Sequence, residues 1–438
     1  SHSQTTSHRE THDQRTDGNR YRTRGHRPEP VAPENPGHAR TAAAMQSSNR
    51  DHFFQTDASQ AQRERKTAKA NNKNGSPLEM KSKILAAIPD PASPLSSVFV
   101  AESAGYVRRV NLDSSEAKAT YRGPKAPVTC LAIGGTGHKT IFAGSWDKNV
   151  WSWDIESARP GRKYSGHSDF VKAVVSARLF DKEILISGSA DKKILVWDTE
   201  TGRRIHTLQD PTTSMMAVQY LAIDPVLSTP GAVVLASASS DPHIRRWKIT
   251  LDSYEQLPDS FHDRPDTERL TIEEHDTSVY KLVFDVDGED VDLWTASADG
   301  TAKCLARSLN FVADDVFTHG DYVRAVLVTE QWVVTAGRDE DVKVWDRATG
   351  RLYCTLEGHF EEVTDLIMLR NAQGSPQKVC SVSIDRTIRT WPLARTELDE
   401  VVKKMQESPK PGPDETDKAG GDALTAEEEA ELAGLMDD

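Results

Sequence analysis

One spacing constrains this chain more than any other feature: a small residue, an aspartate four positions later, and a large apolar residue six positions after that. It occurs as Ser187, Asp191, Trp197, as Thr335, Asp339, Trp345, as Ser381, Asp385, Trp391 and as Ser237, Asp241, Trp247. With one replacement each, Ala143, Asp147, Trp153 and Thr295, Asp299, Leu305 follow the same rule. Self-similarity of this kind marks a repeat architecture, in which each unit is too small to bury its apolar surface alone and must stack on its neighbours.

Between Lys81 and Leu393 the chain is built of short apolar runs rich in β-branched residues, alternating with polar positions and broken by turn residues. That pattern predicts strands. Each unit reads as four of them: an inner strand a, a strand b ending in small residues, a tight turn holding the aspartate, a strand c carrying tryptophan, and a looser strand d. The best-preserved unit, 165–198, opens on Gly166-His167 and closes on Trp197-Asp198.

On these residues the chain resembles the WD-repeat β-propeller family over roughly residues 81–393. The resemblance implies an all-β fold, a seven-bladed propeller whose blades begin near Lys81, Pro127, Asp169, Ser214, Thr277, Asp321 and Glu361. It also implies a hydrogen-bonded chain in each full blade, made of a histidine before strand a, the strand-b hydroxyl, the turn aspartate and the strand-c tryptophan. Complete sets are His167, Ser187, Asp191, Trp197; His319, Thr335, Asp339, Trp345; and His359, Ser381, Asp385, Trp391. A buried polar network is tolerated only where every member is satisfied, which explains why the residues recur as sets.

Departures from the pattern are informative. The fourth unit has Asp210-Pro211 where the histidine belongs, the fifth keeps His275 but has Leu305 in place of tryptophan, and the second has no Gly-His before Val128. The first has Ala104 and Val110 at the aspartate and tryptophan positions. The last unit lacks a clear strand d, so a segment just before Lys81 is expected to complete it, closing the ring and removing exposed sheet edges.

The three Ser/Thr–His–Asp sets do not predict a hydrolase, because they recur with the repeat, whereas a catalytic triad is needed once, at an open cleft. His262 and His275 lack a zinc-ligand spacing, and Gly134-Gly135 sits in a hairpin-like turn rather than a phosphate loop. Cys130, Cys304, Cys354 and Cys380 are scattered beside apolar runs, which suits buried free thiols in a reducing compartment. No enzyme, cofactor or metal is expected. No run approaches the ~20 apolar residues that cross a bilayer, so no membrane association is expected, and the location is expected to be cytoplasmic, nuclear or both.

Candidate binding residues come from the rim. The residue before each turn aspartate reads Trp146, Ala190, Ser240, Ala298, Arg338 and Ile384. Trp146 has no strand partner to require it, and Trp and Arg are enriched at binding hot spots. Phe170 and Tyr322, shortly after the Gly-His position, are expected on the same rim. The alternative for Trp146 is packing over a neighbouring loop.

The flanks differ in character. The net charge is −13, which argues against a nucleic-acid surface over the whole molecule, yet residues 1–80 carry 13 Lys/Arg against nine Asp/Glu and six His. This polar head is expected to be disordered, with native translation starting at Met45; its basic run 60–73 is a solvated linker or a contact to RNA or an acidic partner. Residues 251–269 form an acidic insertion, functional or disordered. A helix over 394–407 is expected to pack on the propeller, followed by a flexible linker over 408–423. An acidic amphipathic helix over 424–438 would present Leu432, Leu435 and Met436 to a partner's groove.

The expected function is a non-enzymatic scaffold that binds protein partners, as part of a multiprotein complex, through its rim and tail. Two alternatives remain. One is a substrate receptor of a cullin-type ubiquitin ligase, although the Trp-Asp-x-Arg motif of such receptors is absent. The other is an RNA- or ribosome-associated adaptor, with nucleic acid reached only through residues 1–80.

Overall fold

The computed structural model describes residues 57–258 and 270–407. Seven four-stranded antiparallel sheets follow one another along the chain. Six are contiguous, spanning 84–121, 128–165, 171–208, 218–257, 279–318 and 323–356. The seventh takes its inner three strands from 363–392 and its outermost strand, Leu78–Glu79, from ahead of the first blade. Leu78 pairs with Ile388 and Glu79 with Thr387, so the two ends of the ring are laced into one sheet.

The core lies between blades rather than within them. Strand b is fully buried in several sheets; Ser97–Glu102, Val233–Ser239 and Trp332–Gly337 are buried at every residue. Strands covered on both faces read as continuous apolar runs. Seven apolar clusters fill the seams between neighbouring blades, for example Leu221, Leu235 and Trp247 with Ile184 and Ile194. Ile84, Val98 and Val100 of the first blade pack on Cys380, Val382 and Ile388 of the seventh. That last cluster makes closure of the ring a hydrophobic event as well as a strand pairing.

Each inner strand carries a β-bulge at its second residue. A bulge re-aims a side chain out of the pleat. Here the bulged residues, Leu85, Thr129, Lys172, Gln219, Tyr280, Arg324 and Thr364, all line a cavity of about 490 Å³ along the propeller axis. Seven bulges in register thus place one variable side chain per blade at the mouth of the channel.

Two helices flank the ring. Helix α1, Asp57–Ala70, and the closing strand lie in the segment expected to be disordered through residue 80, so that expectation fails for 57–80. The low apolar content of this segment limits only what it can bury by itself. Order comes from the propeller: Lys66 meets Glu361 at 2.6 Å, and Lys69 and Arg65 meet Glu340 at 2.9 and 3.2 Å. Helix α2, Arg395–Glu407, buries Leu398 in the seam of the last two blades, with Val401 and Met405 packed partly buried against the same cluster. Of the sequence expectations, residues 1–56, Met45, His262, the linker 408–423 and the helix bearing Leu432, Leu435 and Met436 lie outside the described residues.

Candidate interaction face at the channel mouth

The hydrogen-bonded chains are present in the three full blades. His167 sits 2.8 Å from Ser187 Oγ and 2.9 Å from Asp191, and Trp197 Nε1 donates to Ser187 at 2.9 Å. His319 spans Thr335 and Asp339 at 2.8 Å each, with Trp345 donating to Thr335. His359 spans Ser381 and Asp385 at 2.7 and 2.8 Å, with Trp391 donating to Ser381. Each hydroxyl is fully buried and contacted by both rings, which closes it to any substrate.

Electrostatics follow from that burial. For Asp339, burial raises the carboxyl pKa, but the bonds from His319 and Lys343 outweigh it and hold the group at about 2. Asp191, Asp299 and Asp385 are lowered in the same way, each against the cost of burial, by the paired histidine first. His359 is driven below its ordinary value by burial, against the pull of Asp385.

Blades that depart from the pattern solve the same problem with other residues. In the fifth, His275 bridges Asp299 and Thr295 at 2.7 Å each, and Thr295 donates to the Lys303 carbonyl instead of receiving a tryptophan. In the fourth, Arg245 replaces the histidine: fully buried, it donates to Asp210 at 2.8 Å, Asp241 at 3.1 Å and Thr213 at 2.7 Å. Burial raises Asp210, but Thr213 and Arg245 bring it down to about 2. In the second, Trp151 rather than Trp153 reaches the turn aspartate, at 2.8 Å from Asp147. In the first, buried Glu102 accepts from Ser82 at 2.6 Å and pairs with Arg108. Sequence spacing alone missed Arg245 and Glu102, because each fills the histidine's space from a different position of the repeat, the one on strand c and the other at the end of strand b.

The rim is defined by one backbone bond per blade. The residue before the turn aspartate donates its N–H to the residue preceding the inner strand: Trp146 to Pro127, Ala190 to Phe170, Ser240 to Ala217, Ala298 to Ser278, Arg338 to Tyr322, Ile384 to Glu362. All four rim residues picked out from sequence therefore belong to one ring of positions. The structure groups them into two pairs, not one patch. Trp146 of the second blade stacks on Phe170 of the third, with ring centroids 5.0 Å apart and planes at 21°. Arg338 lies over Tyr322 within the sixth blade, 5.0 Å from the ring centre, and both are exposed. Trp146 thus packs over a neighbouring loop, the one that carries Phe170 ahead of the third blade; the stack is still only partly buried and borders the channel.

Below the rim the channel holds a charged floor. Lys281 of the fifth blade reaches past the sixth to Asp365 of the seventh at 2.8 Å and lies over the Tyr220 ring of the fourth at 4.5 Å. Asp365 also accepts from the Ala87 N–H of the first blade at 3.3 Å. The Lys281–Asp365 pair ties non-adjacent blades across the axis, and the other two contacts join it to neighbouring blades. Burial pushes the thiols of Cys130, Cys304 and Cys354 up to about 12. Among the described residues no three His, Cys, Asp or Glu side chains cluster as metal ligands, and no helix is long and apolar enough to cross a membrane.

A closed ring of seven sheets pinned by His–Ser/Thr–Asp–Trp chains defines a WD-repeat propeller. The chain belongs to the WD-repeat family. The profile of the WD domain, G-beta repeat, matches residues 115–154, 158–198 and 314–346. An uncharacterized WD repeat-containing protein of Schizosaccharomyces pombe is 30% identical over 407 residues, covering 90% of this chain and 100% of that protein. Nuclear distribution protein nudF of Aspergillus niger is 25% identical over 268 residues, 57% of this chain and 55% of that protein. Nuclear distribution protein PAC1 of Arthroderma otae is 26% identical over 266 residues, 58% of this chain and 57% of that protein.

Proposed function

We propose that the chain is a non-enzymatic interaction scaffold that holds protein partners on the rim around the channel mouth. WD-repeat propellers generally serve as protein-interaction scaffolds, and the observation that carries the reading for this chain is the placement of its aromatic residues. Trp146 and Phe170 form a partly exposed stack beside the channel, while Tyr322 and Arg338 form an exposed pair on the same ring. Neither pair is needed to close a blade, and rigid aromatics with arginine make the anchors of protein interfaces. Catalysis is not part of the reading, since the His–Asp–hydroxyl sets are buried within the blades. Work in the cytosol or nucleus is part of it, supported by four free cysteines. The acidic tail, 424–438, is proposed as a second contact.

The test is quantitative affinity purification of the full chain beside Trp146→Ala, Arg338→Ala and a chain lacking 424–438, each checked for an unchanged melting temperature. Specific partners retained by the full chain should fall at least several-fold with Trp146→Ala. An identical partner set for all four proteins refutes the rim as the docking surface.

A further inference from the structure

The channel mouth is charged in an uneven way. Its lining includes Lys83, Lys172, Lys281, Arg324 and Arg370 but a single carboxylate, Asp365. Three of the cations are neutralised locally: Lys281 by Asp365, Arg324 by Glu362, and Arg370 by Asp287 at 2.7 Å. Lys172 is different. It is partly buried at its bulge position, and among the described residues it has no hydrogen-bonding or ion-pairing partner. Burial lowers its pKa, and the positive charge of Arg324 lowers it further, with Asp169 compensating in part. A cation held where both the medium and its neighbour oppose its charge costs stability unless an anion arrives.

The surroundings of Lys172 suit such an anion. Arg324 lies over the Tyr280 ring, 4.2 Å from its centre, and is paired with Glu362, so it adds positive charge beside Lys172 without being free itself. Trp146 lines the same cavity and carries the aromatic stack that leads out onto the rim. The opening is therefore cationic at depth and aromatic at its edge.

We propose that the channel mouth takes an anionic side chain of a bound partner segment, a carboxylate or a phosphorylated residue, with Lys172 receiving the charge and the Trp146–Phe170 stack gripping the flanking chain. This rests on the rim being the docking surface. A protein segment is favoured over nucleic acid because the chain as a whole is acidic, at −13, and would repel a polyanion that must cross its surface.

The experiment uses the full chain and four labelled, end-capped peptides, Gly-Trp-Ala-X-Ala-Gly, with X as phosphoserine, glutamate, glutamine or lysine, followed by fluorescence anisotropy. Inorganic phosphate and a single-stranded oligouridylate serve as competitors. Binding should follow charge, with the glutamate or phosphoserine peptide at least ten-fold tighter than the glutamine peptide, and Lys172→Met should remove that ten-fold difference while Lys172→Arg keeps it. Preference for phosphoserine over glutamate identifies a phosphoryl group as the source, and equal binding identifies simple negative charge. Lys172→Met should melt no lower than the parent chain, since it removes an opposed charge; Lys172→Gln provides the second variant should methionine perturb folding. Equal binding of all four peptides, or an anion preference that survives in both Lys172→Met and Lys172→Gln, overturns the proposal. So does Lys172-dependent binding of oligouridylate or inorganic phosphate without any peptide binding. Loss of partners on Trp146→Ala with no effect of Lys172→Met leaves the rim reading standing and refutes only the anion site.

Discussion

Removing the side chain of Asn72 tests how the ring is closed. Arg389 of the seventh blade is 1% exposed, and its Nη1 donates to Asn72 Oδ1 at 3.0 Å, with the Asn74 carbonyl as its other acceptor there. Asn72 Oδ1 also accepts from the Asn74 N–H at 2.8 Å, and Asn72 Nδ2 donates to the Gly358 carbonyl at 3.0 Å. A hydrogen bond to a charged group contributes about 1.5–3 kcal/mol and a neutral one about 0.5–1.5. Asn72→Ala loses one of the first kind and two of the second; because the site is only partly buried, water recovers some of this, and the loss should be ~2–4 kcal/mol. Urea denaturation of the full chain should show a lower midpoint with an unchanged slope. Asn71→Ala, at an exposed neighbour with no side-chain bond, is the control. If the two variants agree within about 0.5 kcal/mol, the additivity limit for independent sites, the segment 72–79 does not hold Arg389 and the closing account is wrong. An Asn72→Ala, Arg389→Met cycle should give a coupling energy of ~1–3 kcal/mol.

Other outcomes follow from the same contacts. Acid should destabilise the ring in two steps: His359 has a folded pKa below its ordinary 6.5, so its contribution is complete above that pH and fades as pH falls. Asp339 and Asp210, held at about 2 against an ordinary 3.8, add a second loss below pH 3.8. Melting temperature against pH reads both, and His359→Gln should flatten only the upper step. Gly337→Ala should abolish soluble expression or sharply lower melting temperature, because a Cβ there would meet the Tyr322 carbonyl oxygen at 1.8 Å, just ahead of the neighbouring strand. Helix α1 is held by ion pairs worth about 0.2–1 kcal/mol each when exposed, so hydrogen exchange of 57–70 should accelerate between about 0.05 and about 1 M NaCl while the blades are unchanged. Protection of α1 that is independent of salt would show that something other than these pairs seats it.

The repeat was legible because its residues satisfy one another at fixed separations. Ser187, Asp191 and Trp197 must be four and six residues apart for one turn to bring their atoms together, and that geometry writes itself into sequence. Arg245 and Glu102 were not legible, since a guanidinium or a longer carboxylate fills the same space from another register position. The rim residues Trp146, Phe170, Tyr322 and Arg338 could be placed on one ring, but not sorted into pairs, because blade-to-blade distances depend on closure. Helix α1 escaped notice for a plainer reason. Its side chains are polar, and the carboxylates that order it, Glu340 and Glu361, lie over 270 residues away in sequence. Lys172 was equally hidden, as its bulged position is apparent only once the seven inner strands are set side by side.

The strand Leu78–Glu79 pairs with residues 387–388 of the last propeller strand to be made, Thr387–Pro392. Throughout synthesis the first blade waits with one flank uncovered, and the closing segment waits with no sheet to join. The molecule therefore has no finished ring until almost the whole propeller has emerged, so the slow step of its folding falls after translation of the blades. A tether pulling on the segment before Leu78 would load that same seam first, which makes the oldest part of the chain the point at which the ring opens.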